Sequence, residues 1–141
     1  MHEESTMSEI EAAVEKYVAS WAEPDAGMRR KVIAEMWAED AIYKNPFVEF
    51  HGRKGVEDAV TQAYDLFVAT KGATFKVTKV DISRDAVRYT WEMTFPGAAE
   101  PEAIGTQVVI LDENGLMAND HQFIDKAPTG MEELVHIGLD V

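Results

Sequence analysis

The side chains best suited to moving a proton sit together in the segment LMANDHQFID: Asp120 and His121. A carboxylate and an imidazole are common general acids and bases, and surroundings can tune either toward neutrality. The segment reads as the last long strand of the chain, and adjacent strand residues point to opposite faces. Asp120 and His121 therefore cannot both enter one pocket without a bulge. Asp120 shares a face with Gln122, and His121 shares a face with Phe123. Two placements of Asp120 stay open. Turned inward against Trp91 and Tyr43, it would have a raised pKa and could serve as a general acid or base. Set near solvent at the strand edge, it would be an ordinary surface carboxylate.

The other chemical groups are sparse. His51 falls in a loop before a helix, where it is either solvated or in contact with a ligand at a pocket rim. His2 and His136 belong to the two ends of the chain. No two histidines have the spacing of a metal site. The absence of cysteine excludes disulfides, thiolate zinc sites and cysteine nucleophiles. Neither a nucleophile elbow nor a phosphate-binding loop is present. No metal and no cofactor are expected.

An inward Asp120 needs a sheet with one covered face, and the patterning supplies it. Ser8 and Glu11 form a capping box, which predicts a helix start at Ser8. Ile10, Val14, Tyr17, Val18 and Trp21 then recur along one helical face until Pro24, Asp25 and Gly27 interrupt it. A shorter helix carries Val32, Ile33, Met36 and Trp37, and WAED ends it. Ala41 to Asn45 reads as a short strand stopped by Pro46. PFVEFHG reads as a loop. Gly52 precedes a third helix from about Arg53 to Ala69, with a buried stripe of Val56, Ala59, Val60, Ala63 and Phe67.

After Gly72 the period changes from helical to alternating. TFKVTKVDI reads as a long strand with Phe75, Val77 and Val80 on it, and Ser83-Arg84-Asp85 as a turn. AVRYTWEMTF places Val87, Tyr89, Trp91, Met93 and Phe95 on one face, and Arg88, Thr90, Glu92 and Thr94 on the other. IGTQVVIL follows as a strand, Asp112 to Gly115 as a hairpin turn, and LMANDHQFID as the last strand. The expected fold is α+β, with N-terminal helices packed on one face of a strongly bent antiparallel sheet. The sheet would curl into a cone with a hollow at its wide end. Trp21, Trp37, Tyr43, Phe47, Tyr64 and Trp91 are the large residues expected to aim at that hollow. Each alone could simply fill a core; as a group they point to an apolar pocket.

Composition narrows the partners. The formal charge of −13 argues against nucleic acid and anionic membranes, whose recognition begins with lysine and arginine. No run approaches the ~18 apolar residues that would span a bilayer. MHEESTMSEI lacks the apolar centre of a signal peptide. A flexible leader over 1–7, a pocket domain over 8–127 and a tail over 128–141 are expected, in a cytoplasmic protein.

WAEDAIYKNPFVEFHGRKGVEDAV, followed by the meander ending in ILDENGLMANDHQFID, resembles the nuclear transport factor 2-like superfamily, and its SnoaL-like members above all. The resemblance spans about Glu9 to Asp125. It implies a cystatin-like α+β barrel and a homodimer paired through the outer sheet face, where Arg88, Thr90, Glu92 and Thr94 would lie. It does not fix the chemistry, because one fold serves many reactions. In the ketosteroid isomerase pattern Tyr17 falls where the tyrosine donor sits. Asn45 stands where the base belongs and Gln107 near the second oxyanion acid, so the essential base is gone. In the epoxide hydrolase pattern Tyr43-Lys44-Asn45 matches the Y-x-N spacing, but no R-x-D follows on the middle strand, and Gln122 stands near the last-strand aspartate. The SnoaL-like cyclases need one acid–base group in the pocket, and Asp120 and His121 are its candidates. The implied function is a pocket for a small apolar or aromatic molecule, with Tyr17, Tyr43, Asn45, Gln107, Gln122 and Asp120 as polar contacts. If there is turnover, the resemblance implies isomerisation, cyclisation or dehydration, with Asp120, Tyr17 and Asn45 as catalytic candidates. The alternatives are a binding or dimeric interaction module without turnover, and a hydrolase with a degraded site.

Overall fold

The computed structural model describes residues 2–129, with side chains from residue 9 onward. The elements are α1 (His2–Ser20), α2 (Ala26–Met36), β1 (Trp37–Lys44), β2 (Glu49–His51), α3 (Gly52–Ala63), a π-helical turn (Tyr64–Val68), α4 (Ala69–Lys71), β3 (Thr74–Ser83), β4 (Ala86–Thr94), β5 (Ala103–Leu111) and β6 (Met117–Lys126). The strands form one six-stranded sheet in the order β2-β1-β6-β5-β4-β3. β3 to β6 make the expected antiparallel meander. β1, however, runs parallel to β6, so the sheet is mixed rather than wholly antiparallel. Parallel neighbours need a long crossover, and nearly the whole chain between β1 and β6 supplies it. The sheet is open, with β2 and β3 as its edges, and does not close into a barrel.

The helical stripe of α1 holds the core against the sheet. Val14, Tyr17, Val18 and Trp21 are all buried, each such side chain stabilising the fold by roughly 1.5–3 kcal/mol. α1 begins at His2, ahead of the Ser8 start expected from the capping box, because HEESTM contains no helix breaker. The side chains of that box's first turn and residues 130–141 of the expected tail lie outside the described residues.

Three local features differ from the sequence expectation. Trp37 does not end α2; its backbone is extended (φ −108, ψ 142) and opens β1, paired with Met117 of β6. The segment after Pro46 is not all loop. The Asn45 side-chain oxygen accepts from the Phe47 and Val48 N–H groups, at 2.9 Å each, and closes a reversal that lets Glu49–His51 pair with β1. The third helix is not uniform either. A π-helical turn interrupts it at Tyr64, and it ends at Gly72, whose φ of +69 suits a residue without a Cβ.

The sheet alternation holds where it was cleanest. Val87, Tyr89, Trp91 and Met93 of β4 are buried in sequence. On β3 a bulge at Thr78 shifts the inward positions from Phe75 and Val77 to Val80 and Ile82. On β5 Gly105 pairs with Trp91, and a Cβ there would lie 2.2 Å from Trp91 Cζ2. The indole therefore rests on bare backbone. Gly105→Ala should displace that indole at a cost of about 1–3 kcal/mol. Near-ultraviolet circular dichroism and a chemical melt would check it, with the indole signal changed and the midpoint lowered.

Candidate functional site

A cavity of about 310 Å³ opens between the concave face of the sheet, α1 and the α3–π-turn segment. Helical spacing brings Tyr17 and Trp21 to it from α1, and alternation brings Tyr43 from β1, Phe75 from β3, Trp91 and Met93 from β4, and Gln122 and Ile124 from β6. Trp21, Phe75 and Trp91 meet edge to face, with centroids 5.3–6.0 Å apart. Tyr43 and Phe50 stack at 5.7 Å. The mouth is apolar as well: Phe47, Val48 and Leu66 line it and are 46%, 49% and 59% exposed.

Of the residues singled out from sequence, Tyr17, Trp21, Tyr43, Asn45, Phe47, Trp91 and Gln122 line the cavity. Trp37 and Tyr64 do not. Trp37 is fully buried against Tyr17, with centroids 5.5 Å apart, because its place at the start of β1 sends it into the core. Tyr64 lies beneath the Arg29 guanidinium, 4.6 Å from its ring centroid. Gln107 and Asp120 form a fully buried layer behind the cavity wall. His121 faces outward and is exposed, so of the two adjacent candidates it is Asp120 that turns in. His51 pairs with Glu49 at 2.6 Å on the surface. Sequence reasoning passed over Phe50, Phe67, Phe75 and Tyr89 as site residues. Phe75 and Tyr89 were legible in strand alternation and Phe67 in the helical stripe, whereas Phe50 lay in a segment read as loop.

A chain of hydrogen bonds orders the buried layer. Trp91 Nε1 donates to Gln107 Oε1 at 3.2 Å, Gln122 Nε2 donates to the same oxygen at 2.9 Å, and Gln107 Nε2 donates to Asp120 Oδ2 at 2.6 Å. Burial pushes the Asp120 carboxyl well above the usual carboxylate range, and the bond from Gln107 only partly opposes this. When Asp120 is protonated, the proton belongs on Oδ1, because Oδ2 is accepting. Oδ1 and the Tyr89 hydroxyl have no partner among the described residues. Burial, and then the Asp120 charge, push the Tyr17, Tyr43 and Tyr89 hydroxyls far up, so they remain protonated and able to donate. Asn45 has its carbonyl oxygen committed to the turn and cannot act as a base. Among the described residues no Asp, Glu, His, Lys or Arg lines the cavity.

A model of the SnoaL-like domain matches residues 14–119. The chain belongs to the SnoaL-like family. Among solved SnoaL-like structures, a protein of Agrobacterium tumefaciens named as an isomerase of this family shares 28% identity over 81% of this chain and 95% of that one, at a TM-score of 0.72. A Kribbella flavida protein named as a ketosteroid isomerase shares 19% over 87% and 84%, at 0.61. A ketosteroid isomerase-like protein of Catenulispora acidiphila, in complex with trimethylamine, shares 14% over 79% and 83%, at 0.59. The last two show likeness of fold alone. No curated protein matches the chain significantly.

The buried carboxyl has a stability signature. Its folded pKa exceeds the ordinary 3.8, so in the window above that value the folded state holds a proton that the unfolded chain releases. Stability must then fall as pH rises through the window, by up to about 1.4 kcal/mol per pH unit. Asp120→Asn mimics the neutral acid and should flatten this dependence. Thermal melts from pH 5 to pH 8 should show the variant gaining most at the alkaline end.

Proposed function

We propose that the cavity binds a small, neutral, largely apolar or aromatic molecule. The observation that carries this reading is a space of about 310 Å³ walled by aromatic rings, with tyrosine hydroxyls and amides as its polar groups and, among the described residues, no charged side chain. At interior packing density that volume holds roughly a dozen non-hydrogen atoms. A two-ring aromatic or a monoterpene-sized molecule fills it, whereas a four-ring skeleton would protrude past Phe47 and Leu66. The trimethylamine held by the Catenulispora protein supports the use of this fold for small ligands.

A second reading is favoured by one observation, the raised carboxyl directly behind the cavity wall. In that reading the protein catalyses isomerisation, cyclisation or dehydration, with Asp120 holding the proton and Tyr17 donating a hydrogen bond. Pairing of two copies through the outer sheet face belongs to the same proposal. Phe123 and Ile110 are exposed on that face, beside Arg88 and Thr90.

A thermal-shift screen should find that neutral two-ring compounds raise the melting temperature, while short carboxylic acids do not. No shift from any neutral compound would overturn the binding reading. With a hit in hand, Asp120→Asn separates the two readings. A binder keeps its affinity, and an enzyme loses turnover about 100-fold or more. Light scattering should give twice the monomer mass for wild type and the monomer mass for Phe123→Glu.

A further inference from the structure

We infer that Gln122 presents a hydrogen-bond acceptor to the cavity, so that the pocket selects molecules carrying a hydroxyl or N–H on an apolar body. This rests on the cavity-binding reading and adds to it the polarity of one contact. The two ends of an amide side chain have nearly the same shape, and only their partners tell them apart. The partners here begin with Trp91, whose indole nitrogen donates and never accepts. Gln107 lies 3.2 Å from it and must therefore turn Oε1 toward the indole. Gln122 approaches that same Oε1 at 2.9 Å and must turn Nε2 toward it. The Oε1 of Gln122 is left as the free end of a side chain that lines the cavity, and among the described residues no hydrogen bond reaches it.

The reverse arrangement is excluded on chemical grounds. Turning Gln122 round would set its carbonyl against the Gln107 carbonyl unless Gln107 turned too. Turning Gln107 would press its NH2 against the indole N–H, donor on donor, and take away the bond to Asp120 Oδ2. Breaking such buried bonds is strongly unfavourable. The seat of the indole on Gly105 holds the first link in place. Asn45, the other amide on this wall, points the opposite way chemically, because its oxygen is used by the turn and only its NH2 remains. The cavity thus carries donors at Asn45, Tyr17 and Tyr43 and a dedicated acceptor at Gln122.

Calorimetry with three naphthalenes tests this. 2-Naphthol can donate, 2-methoxynaphthalene can only accept, and 2-methylnaphthalene does neither. Wild type should bind 2-naphthol roughly 5- to 10-fold tighter than 2-methoxynaphthalene, the worth of one hydrogen bond. In Gln122→Met that preference should disappear, whatever the change in affinity for 2-methylnaphthalene. Equal binding of 2-naphthol and 2-methoxynaphthalene by wild type would overturn the inference without any variant. A preference that survives the substitution would overturn it as well. If not even 2-methylnaphthalene binds, the cavity-binding reading itself fails and takes the inference with it.

Discussion

Asp120 is a carboxyl with no exposed surface, and among the described residues no cation pairs with it. An isolated carboxylate in such a place is very unfavourable, so the group either finds donors or takes up a proton. Among the described residues its hydrogen-bond donor is the Gln107 amide. That bond sets the polarity of everything next to it. Gln107 must give its N–H to Asp120 and its oxygen to Trp91, and Gln122 must follow. Burial alone suffices to hold the nearby Tyr17, Tyr43 and Tyr89 hydroxyls in their protonated form. Among the described residues the cavity wall in front of this raised carboxyl carries no charged side chain.

This arrangement accounts for how the chain relates to proteins of the same fold. The SnoaL-like framework positions side chains from α1, β1, β4 and β6 around one hollow, but the framework does not supply the chemistry. Asn45 ties the reversal between β1 and β2 with its side-chain oxygen. The result, among the described residues, is a wall of rings and hydroxyls with the Asp120 carboxyl set one layer back. Such a surface discriminates by size, by apolar area and by the direction of a few hydrogen bonds. The likeness to named isomerases fixes the architecture, and the residues decide what it receives.

Much of the frame was legible because it rests on short-range periodicity. Val87, Tyr89, Trp91 and Met93 alternate, and Val14, Tyr17, Val18 and Trp21 recur with a helical period; each set is buried as its spacing requires. Trp37 was misplaced because a tryptophan after a helix suits the last turn as well as a first strand residue, and only its pairing with Met117 decides. The parallel partnership of β1 and β6 is a long-range choice that no local pattern records. The same limit applies at the site. Asp120 was recognisable as a candidate, but its face depended on a register set with β1 and β5, where it lies opposite Tyr43 and Val109. Gly105 is the seat of an indole, a contact visible only once β4 and β5 are paired.

The protonation state of Asp120 is the claim on which the account turns, and carbon-13 NMR of the labelled side-chain carboxyl reads it directly. The account predicts that the Asp120 carboxyl resonance keeps its protonated shift well above pH 4, while the exposed aspartates titrate normally. A resonance that titrates with them near the ordinary value would mean a solvated or charge-paired carboxylate, and would contradict the neutral acid behind the cavity wall.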